Sequence, residues 1–444
     1  MKLFLLTVLL FCATSFSFGQ FKVNSIDVGI GYSKTSVNTA IFRTNAICSL
    51  SDTQFIAYYD TLKYLVIGKR HINPSRKNVE PFELTQTKYF LNKGNDAHNV
   101  ISIELDGKGY LHVCYDQHSS KLNYCTSVEP FSTKLSMPKL MITKNLYSVE
   151  KSESVVTYPE FYRLSNGDLF FVYRFYNDLV VNRYDCQNKN WNRCINYLLM
   201  NLGRSRPYWQ IYLGTDDDFN ISWLWRMNEY STLSNKDIFY MRSKDYLRSF
   251  ENINGNSVNV PVKLENNCLA WAVGENRNLI NQTSICTDGE GHPYIATYFS
   301  TDSVTDYHLI YHDGNSWKDV KVSNRSTTFN LNGIGTLPIP ISRPKVLVDD
   351  DYIYYFVRDS ERGSVVTMYY AKRSKKNKKL KFSVQDLTKY SVGAWEPCVD
   401  MDLWKSHHKI HLFVQQTFQV LGDKRNIDSS GTMVRLLEII PRKR

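Results

Sequence analysis

One pattern of polar and apolar positions recurs along the chain. A short turn rich in Asp, Gly, Ser or Asn leads into a run dominated by aromatic and β-branched side chains. It reads SDTQFIAYYD from Ser51, DGKGYLHVCYD from Asp106, SNGDLFFVYRF from Ser165 and TDDDFNISWLW from Thr215. It continues as DGEGHPYIATYF from Asp288, DDDYIYYFVRD from Asp349 and KSHHKIHLFVQQ from Lys405. A second apolar run follows each copy, at Tyr64, Lys121, Leu179, Asp237, His308, Thr367 and Thr432. Short runs of this composition bounded by turn residues predict antiparallel hairpins. No amphipathic pattern long enough for a twelve-residue helix interrupts them.

The copies lie roughly 50 to 70 residues apart, so seven units of about 60 residues account for almost all of the chain after its first segment. A four-stranded unit of that length is a propeller blade, and radial repetition leaves few sheet edges exposed. A parallel β-helix has much shorter rungs, and two β-sandwiches would not give seven matched pairs. The expected fold is therefore all-β: a seven-bladed β-propeller forming a single domain over residues 21–444, with residues 21 to about 45 helping to close the ring.

The first twenty residues read as an export signal peptide. Lys2 is the positive start, Leu3 to Phe18 the apolar stretch and Gly19-Gln20 the small-residue exit. The apolar run is too short and wrongly flanked for a spanning helix. Cys12 follows Phe11, where a lipoprotein signal needs a small residue. A secreted or periplasmic monomer with no membrane span is expected. In an oxidising compartment the eight remaining cysteines allow disulfides, with Cys186 and Cys194, flanking an Asn/Lys-rich turn, as the best candidate pair and buried thiols as the alternative. No C-x-x-C pair exists, which argues against a zinc ribbon or a redox motif.

Composition adds two points. The chain holds 30 Tyr, 23 Phe and 8 Trp, which suit both strands and platforms for sugar rings. Its net charge is +11, partly from the solvated run Lys372 to Lys381, and the excess suits a polyanion. An exported chain without a recognisable nucleic-acid motif is not expected to bind nucleic acid.

Four polar residues are not explained by turn chemistry. His98 stands at a loop-to-strand entry in Asp96-Ala97-His98-Asn99, and His118 lies in the turn after the next strand. Tyr158 precedes Pro159 in a segment entering a strand, which predicts an extended backbone for it. Arg174 sits inside the apolar run LFFVYRF, where burial is costly unless the guanidinium meets an anion. An internal salt bridge is the alternative for Arg174, and a structural role for either His. Two imidazoles, a phenol and a guanidinium fit eliminative cleavage of a uronate: Arg neutralises the carboxylate, and His or Tyr moves the protons. Glycosidase chemistry fits less well, because it uses two facing carboxylates and Asp216, Asp217 and Asp218 read as turn acids.

From Gly31 to Gln416 the chain resembles the BNR-repeat propellers that include the ulvan lyases, polysaccharide lyase families 24 and 25, and family 25 most. The resemblance is carried by SVNTAIFRTNA from Ser36, DAHNVISIELDGKGYLHVCYDQHSSKLNY from Asp96 and TYPEFYRLSNGDLFFVYR from Thr157. It extends through ISWLWRMNE from Ile221, NLINQTSICTDGEGHPYIATY from Asn278, SRPKVLVDD from Ser342 and WEPCVDMDLW from Trp395. It implies a seven-bladed propeller acting on an acidic sulfated polysaccharide, with His98 and Tyr158 as acid/base groups. It assigns His118 to substrate binding and Arg174 to neutralising the carboxylate. No organic cofactor is expected. Some relatives hold a structural metal partly through a His beside a later strand; here that stretch is Asn235-Lys236-Asp237, so zinc is not carried over and a metal elsewhere stays open. Asp-boxes of the sialidase type are barely visible, Ser243-Lys244-Asp245 with Phe250 being one degenerate copy, which argues against a sialidase. The alternatives are a related propeller removing terminal rhamnose from glucuronate, and a glycan-binding propeller without activity.

Overall fold

In the computed structural model, each of the seven recurring aromatic runs becomes the second strand of a sheet, and the run after it becomes the third. The structure describes residues 21–40, 42, 44–72, 80–142, 153–200, 205–214, 216–264, 266–281, 283–373, 380–420 and 430–441. The first twenty residues, read from the sequence as an export signal, and most of the Lys372 to Lys381 run lie outside them.

The described residues form six four-stranded sheets and one of three strands. Blades one to six follow chain order and begin with the inner strands Ile47–Leu50, Val100–Leu105, Val156–Arg163, Arg206–Leu213, Ser284–Thr287 and Lys345–Val348. Blade seven is composite. Cys398–Val399, Ile410–Gln415 and Thr432–Pro441 are joined on the outside by Phe21–Gly31, which pairs antiparallel with Thr432–Pro441. This ties the start of the propeller to its end, so the ring has no open seam. Blade two departs from the four-stranded expectation: its fourth position is reduced to an isolated bridge between Ser127 and Leu135.

Buried side chains explain why blades stack. The second strands are buried on both faces, as in Phe219–Arg226, because each sheet is covered by its two neighbours. Between blades one and seven a polar network adds to the apolar contacts. The Asp400 carboxylate accepts from Ser49 Oγ at 2.5 Å and Gln54 Nε2 at 2.6 Å, and Arg70 reaches Glu438 at 3.0 Å. Asp400 also caps the helix Met401–His407, which takes in the start of the seventh copy at Lys405.

The turns follow the chemistry read from the sequence. Asp106 accepts from the amides of Lys108 and Tyr110, and Asp245 from those of Arg248 and Ser249. Blades two and three meet at two glycines: a Cβ on Gly167, where φ is +89°, would lie 2.6 Å from the Gly107 Cα. Gly167→Ala is therefore expected to cost about 2 kcal/mol or more through backbone strain and overlap. A thermal melt checks this, and an unchanged midpoint would contradict so close an approach.

Cys186 and Cys194 are free thiols, so the candidate disulfide does not form. In their hairpin Asp185 pairs with Asn190 and Val181 with Ile195. The two cysteines therefore stand about five residues apart along the ladder, roughly 16 Å, far beyond disulfide reach.

Candidate active site

Inner strands and second strands run in opposite directions, so the starts of the former and the ends of the latter share one face of the ring. All four residues singled out from the sequence are there. His98 lies just before Val100–Leu105, and His118 just after Leu111–Gln117. Tyr158 is near the start of Val156–Arg163, and Arg174 near the end of Leu169–Phe175. The opposite face carries Arg163, Glu104 and Asp402, which are consumed by ion pairs with one another at 2.9 and 3.1 Å.

The two imidazoles share one carboxylate. Asp96 Oδ1 lies 2.9 Å from His98 Nδ1, and Asp96 Oδ2 lies 2.5 Å from His118 Nδ1. The rings stack with centroids 4.5 Å apart. Burial works against the charge on Asp96, but the hydrogen bonds from His118 and His98 override it and hold the carboxyl well below the usual carboxylate range. An ionised Asp96 fixes the proton of each neutral imidazole on Nδ1, which leaves Nε2 as the basic nitrogen. Phe42 stacks on the other side of His98 at 4.5 Å, within 3° of parallel, and Thr336 Oγ1 approaches its Nδ1 at 3.4 Å. Asp96→Asn is expected to release both tautomers and lower kcat by about 10²-fold or more, with the imidazole signals in NMR reporting the change.

Tyr158 corrects the sequence expectation. Its φ is +56°, in the left-handed region, not extended. The cause is a bulge. Val172 pairs with Glu160 and Arg174 with Thr157, so Tyr158 and Pro159 both stand opposite Tyr173. A bulky residue held there costs about 1–3 kcal/mol, the kind of strain found where a side chain must be aimed. The phenol is buried and touches Phe42, Trp209 and His98, with ring centroids 5.5, 6.2 and 6.1 Å away. Burial raises its pKa against the opposing pull of Arg174.

Arg174 is 8% exposed, and its Cζ lies 4.5 Å from the Tyr158 ring centre and 5.9 Å from that of Tyr208. No salt bridge satisfies it: its Nε and Nη1 find no hydrogen-bond partner among the described residues. A buried guanidinium costs several kcal/mol, and two ring contacts return only about 1–4 kcal/mol.

Several neighbours escaped the sequence reading. A cavity of about 80 Å³ is lined by His98, Tyr158, Tyr208, Arg226, Asn281 and Arg343, among others. It shares Phe42, Thr336, Leu337, Ile339 and Arg343 with a larger cleft of about 290 Å³. Arg226 lies 4.4 Å from the Tyr208 ring centre and donates to Asn235 Oδ1 at 3.0 Å and Asn281 Oδ1 at 3.2 Å. Arg343 forms a two-pronged pair with Glu396 at 2.9 and 3.0 Å. A signal for Arg226 was present: it ends the second strand of blade four just as Arg174 nearly ends that of blade three and Arg358 ends that of blade six. His118 and Arg174 reach the cavity through the residues they pack on, His98 and Tyr158.

Asp96, His98 and His118 also put metal-ligating atoms within 4.8 Å of one another. Both Nδ1 atoms, however, already hold protons directed at the carboxylate, which suits proton handling. The Asn235-Lys236-Asp237 stretch supplies no His, and Asn235 is committed to Arg226 and to the Leu279 carbonyl. The residues there do not fit the structural metal of the relatives.

No helix among the described residues is long and apolar enough to cross a membrane. No curated protein sequence matches the chain. Among solved structures the chain is similar to an ulvan lyase of polysaccharide lyase family 25, at 14% identity and a TM-score of 0.65 over 92% of this chain and 94% of that one. The same values of identity and TM-score hold for that lyase bound to -[GlcA(1-4)Rha3S]-, over 90% of this chain and 96% of that one. The polysaccharide lyase Uly1 gives 12% identity and a TM-score of 0.69 over 95% of this chain and 99% of that one. At these identities the likeness shows the fold, a seven-bladed β-propeller. Residues 53–325, more than half of the chain, match the profile described as a BNR repeat-containing family member, and the chain belongs to that family.

Proposed function

We propose that the protein is an exported polysaccharide lyase that cleaves a sulfated, uronate-containing polysaccharide of the ulvan type by β-elimination. The observation that carries this reading is the convergence of an imidazole, buried phenols and guanidinium groups on one cavity, with the neighbouring carboxylates already engaged. Asp96 is held by two imidazoles and Glu396 by Arg343. Hydrolysis by a facing acid pair therefore has no support here.

Elimination needs a weakly acidic C5 proton removed beside a carboxylate. Guanidinium groups lower the cost of the enolate-like intermediate by taking up the carboxylate charge, and this role falls to Arg226 in the cavity wall with Arg174 behind Tyr158. Tyr158 and His98 are the acid/base groups. Tyr158, un-ionised at neutral pH, gives a proton to O4 as the C4–O4 bond breaks. His98 presents Nε2 to a C5 proton on the other face of the sugar, and His118 supports it through Asp96. The full set of basic residues in the cleft, including Arg343 and Arg358, suits a sulfated chain. A structural neighbour bound to a glucuronate–rhamnose-3-sulfate unit supports this substrate class.

The test is incubation with ulvan while recording ultraviolet absorbance of the conjugated 4,5-unsaturated uronate. A steady rise is expected. Rhamnose release without absorbance would favour a hydrolytic rhamnosidase, and binding with neither would favour a glycan-binding propeller.

A further inference from the structure

Tyr208 has no role in the scheme above, yet it is the residue around which the positive charge of the site is arranged. It stands near the start of the inner strand Arg206–Leu213, beside Tyr158 of the preceding blade. Its ring lies between two guanidinium groups, Arg226 at 4.4 Å and Arg174 at 5.9 Å. It lines the same cavity as His98 and Tyr158.

We propose that Tyr208 is a third acid–base residue of the site, the acceptor for a C5 proton on the Tyr158 face of the sugar, as His98 is for one on the opposite face, with Tyr158 as proton donor. This deepens the lyase reading and rests on it.

Two like side chains in one cavity, each touched by Arg174, differ in what surrounds them. For Tyr158, burial dominates and raises the phenol pKa. For Tyr208, burial also opposes ionisation, but Arg226, Arg174 and then Arg206 outweigh it and lower the pKa. A pair of titratable groups pushed apart in this way marks an acid and a base. The groups facing Tyr208 come from four strands: Arg206 on its own, Arg226 on the next, and Arg174 and Tyr158 on the second and inner strands of blade three. Arg206 is itself paired with Glu229, so Arg226 and Arg174 are the near, uncompensated charges.

The step balances. For a uronate whose C5 proton lies on the Tyr158 face, the Tyr208 phenolate takes that proton, and the C5–H electron pair passes through the carboxylate-stabilised intermediate into the C4=C5 bond. The C4–O4 pair leaves with O4, which takes the Tyr158 proton. Return of the proton from Tyr208 to Tyr158, directly or through solvent, restores the site.

Two measurements test this. The first needs no substrate: an ultraviolet difference titration of wild type against Tyr208→Phe. One phenol ionising at lower pH than the other tyrosines is expected in the wild type and is expected to be lost in the variant. The second is steady-state kinetics on ulvan. Tyr208→Phe is expected to lower kcat by about 10²- to 10⁴-fold with KM little changed. Incorporation of 3-fluorotyrosine at position 208, a more acidic phenol of nearly the same shape, is expected to move the acid limb of kcat/KM to lower pH. A Tyr208→Phe variant with near wild-type kcat, or an acid limb that ignores fluorination, would overturn the assignment and leave the lyase reading standing. A wild type that forms no unsaturated product on ulvan would sink both.

Discussion

Arg174→Met is expected to lower kcat/KM on ulvan by about 10³-fold while leaving the melting temperature unchanged or raised. The two halves of this expectation have one cause. The guanidinium is buried, and its Nε and Nη1 have no partner among the described residues. Replacing a buried charge by an apolar side chain of similar volume is commonly neutral or stabilising. The same group shares with Arg226 the charge that balances the carboxylate in the proposed transition state, where removing one such group costs about 10²- to 10³-fold in kcat and binding adds to the loss. A residue kept only for structure would show the reverse: a large fall in melting temperature and an ordinary rate. Thermal melts and initial rates on the same preparations separate the two.

Tyr158→Phe is the second expectation. The ring contacts with Phe42, Trp209 and Arg174 survive, so the fold and the bulge should persist. Only the O–H is lost. A fall in kcat of about 10²- to 10⁴-fold with KM close to wild type is expected, because the proton reaches O4 only in the transition state. If Tyr158 and Tyr208 act as donor and acceptor in one step, the double Phe variant should be scarcely worse than either single one, since residues acting as a unit are not additive. A purely multiplicative loss would argue that the two phenols work independently.

The second and third strands of every blade were legible because aromatic runs bounded by Asp and Gly turns leave little choice of structure. Inner strands such as Ile47–Leu50 and Lys345–Val348, only four residues long, carry too little pattern to be read. The weak fourth position of blade two is equally invisible to periodicity. Within the site, His98, Tyr158 and Arg174 could be picked out because each is a polar group at or inside an apolar strand. Tyr208 could not, being one of 30 tyrosines with nothing local to distinguish it. Its meaning comes from Arg226, which is eighteen positions away and reaches its ring from the neighbouring strand, where Tyr208 itself pairs with Leu224. Overlaying the repeats would have exposed Arg226 and Arg358, because the blade geometry brings the ends of second strands to the same face. Thr336 and Leu337 lie in the connection between blades five and six and meet His98 of blade two only through the closed ring. The backbone of Tyr158 was misread for a different reason: the preference imposed by Pro159 is local, and the bulge against Tyr173 outweighs it.

The central claim is that this face of the ring breaks a sugar–oxygen bond without using water. Digestion of ulvan in heavy-oxygen water, with mass spectrometry of the fragments, tests it directly. Elimination predicts fragments whose new non-reducing ends are unsaturated, with no solvent oxygen incorporated at the cleaved linkage. Saturated fragments carrying one heavy oxygen at each newly formed reducing end would contradict it.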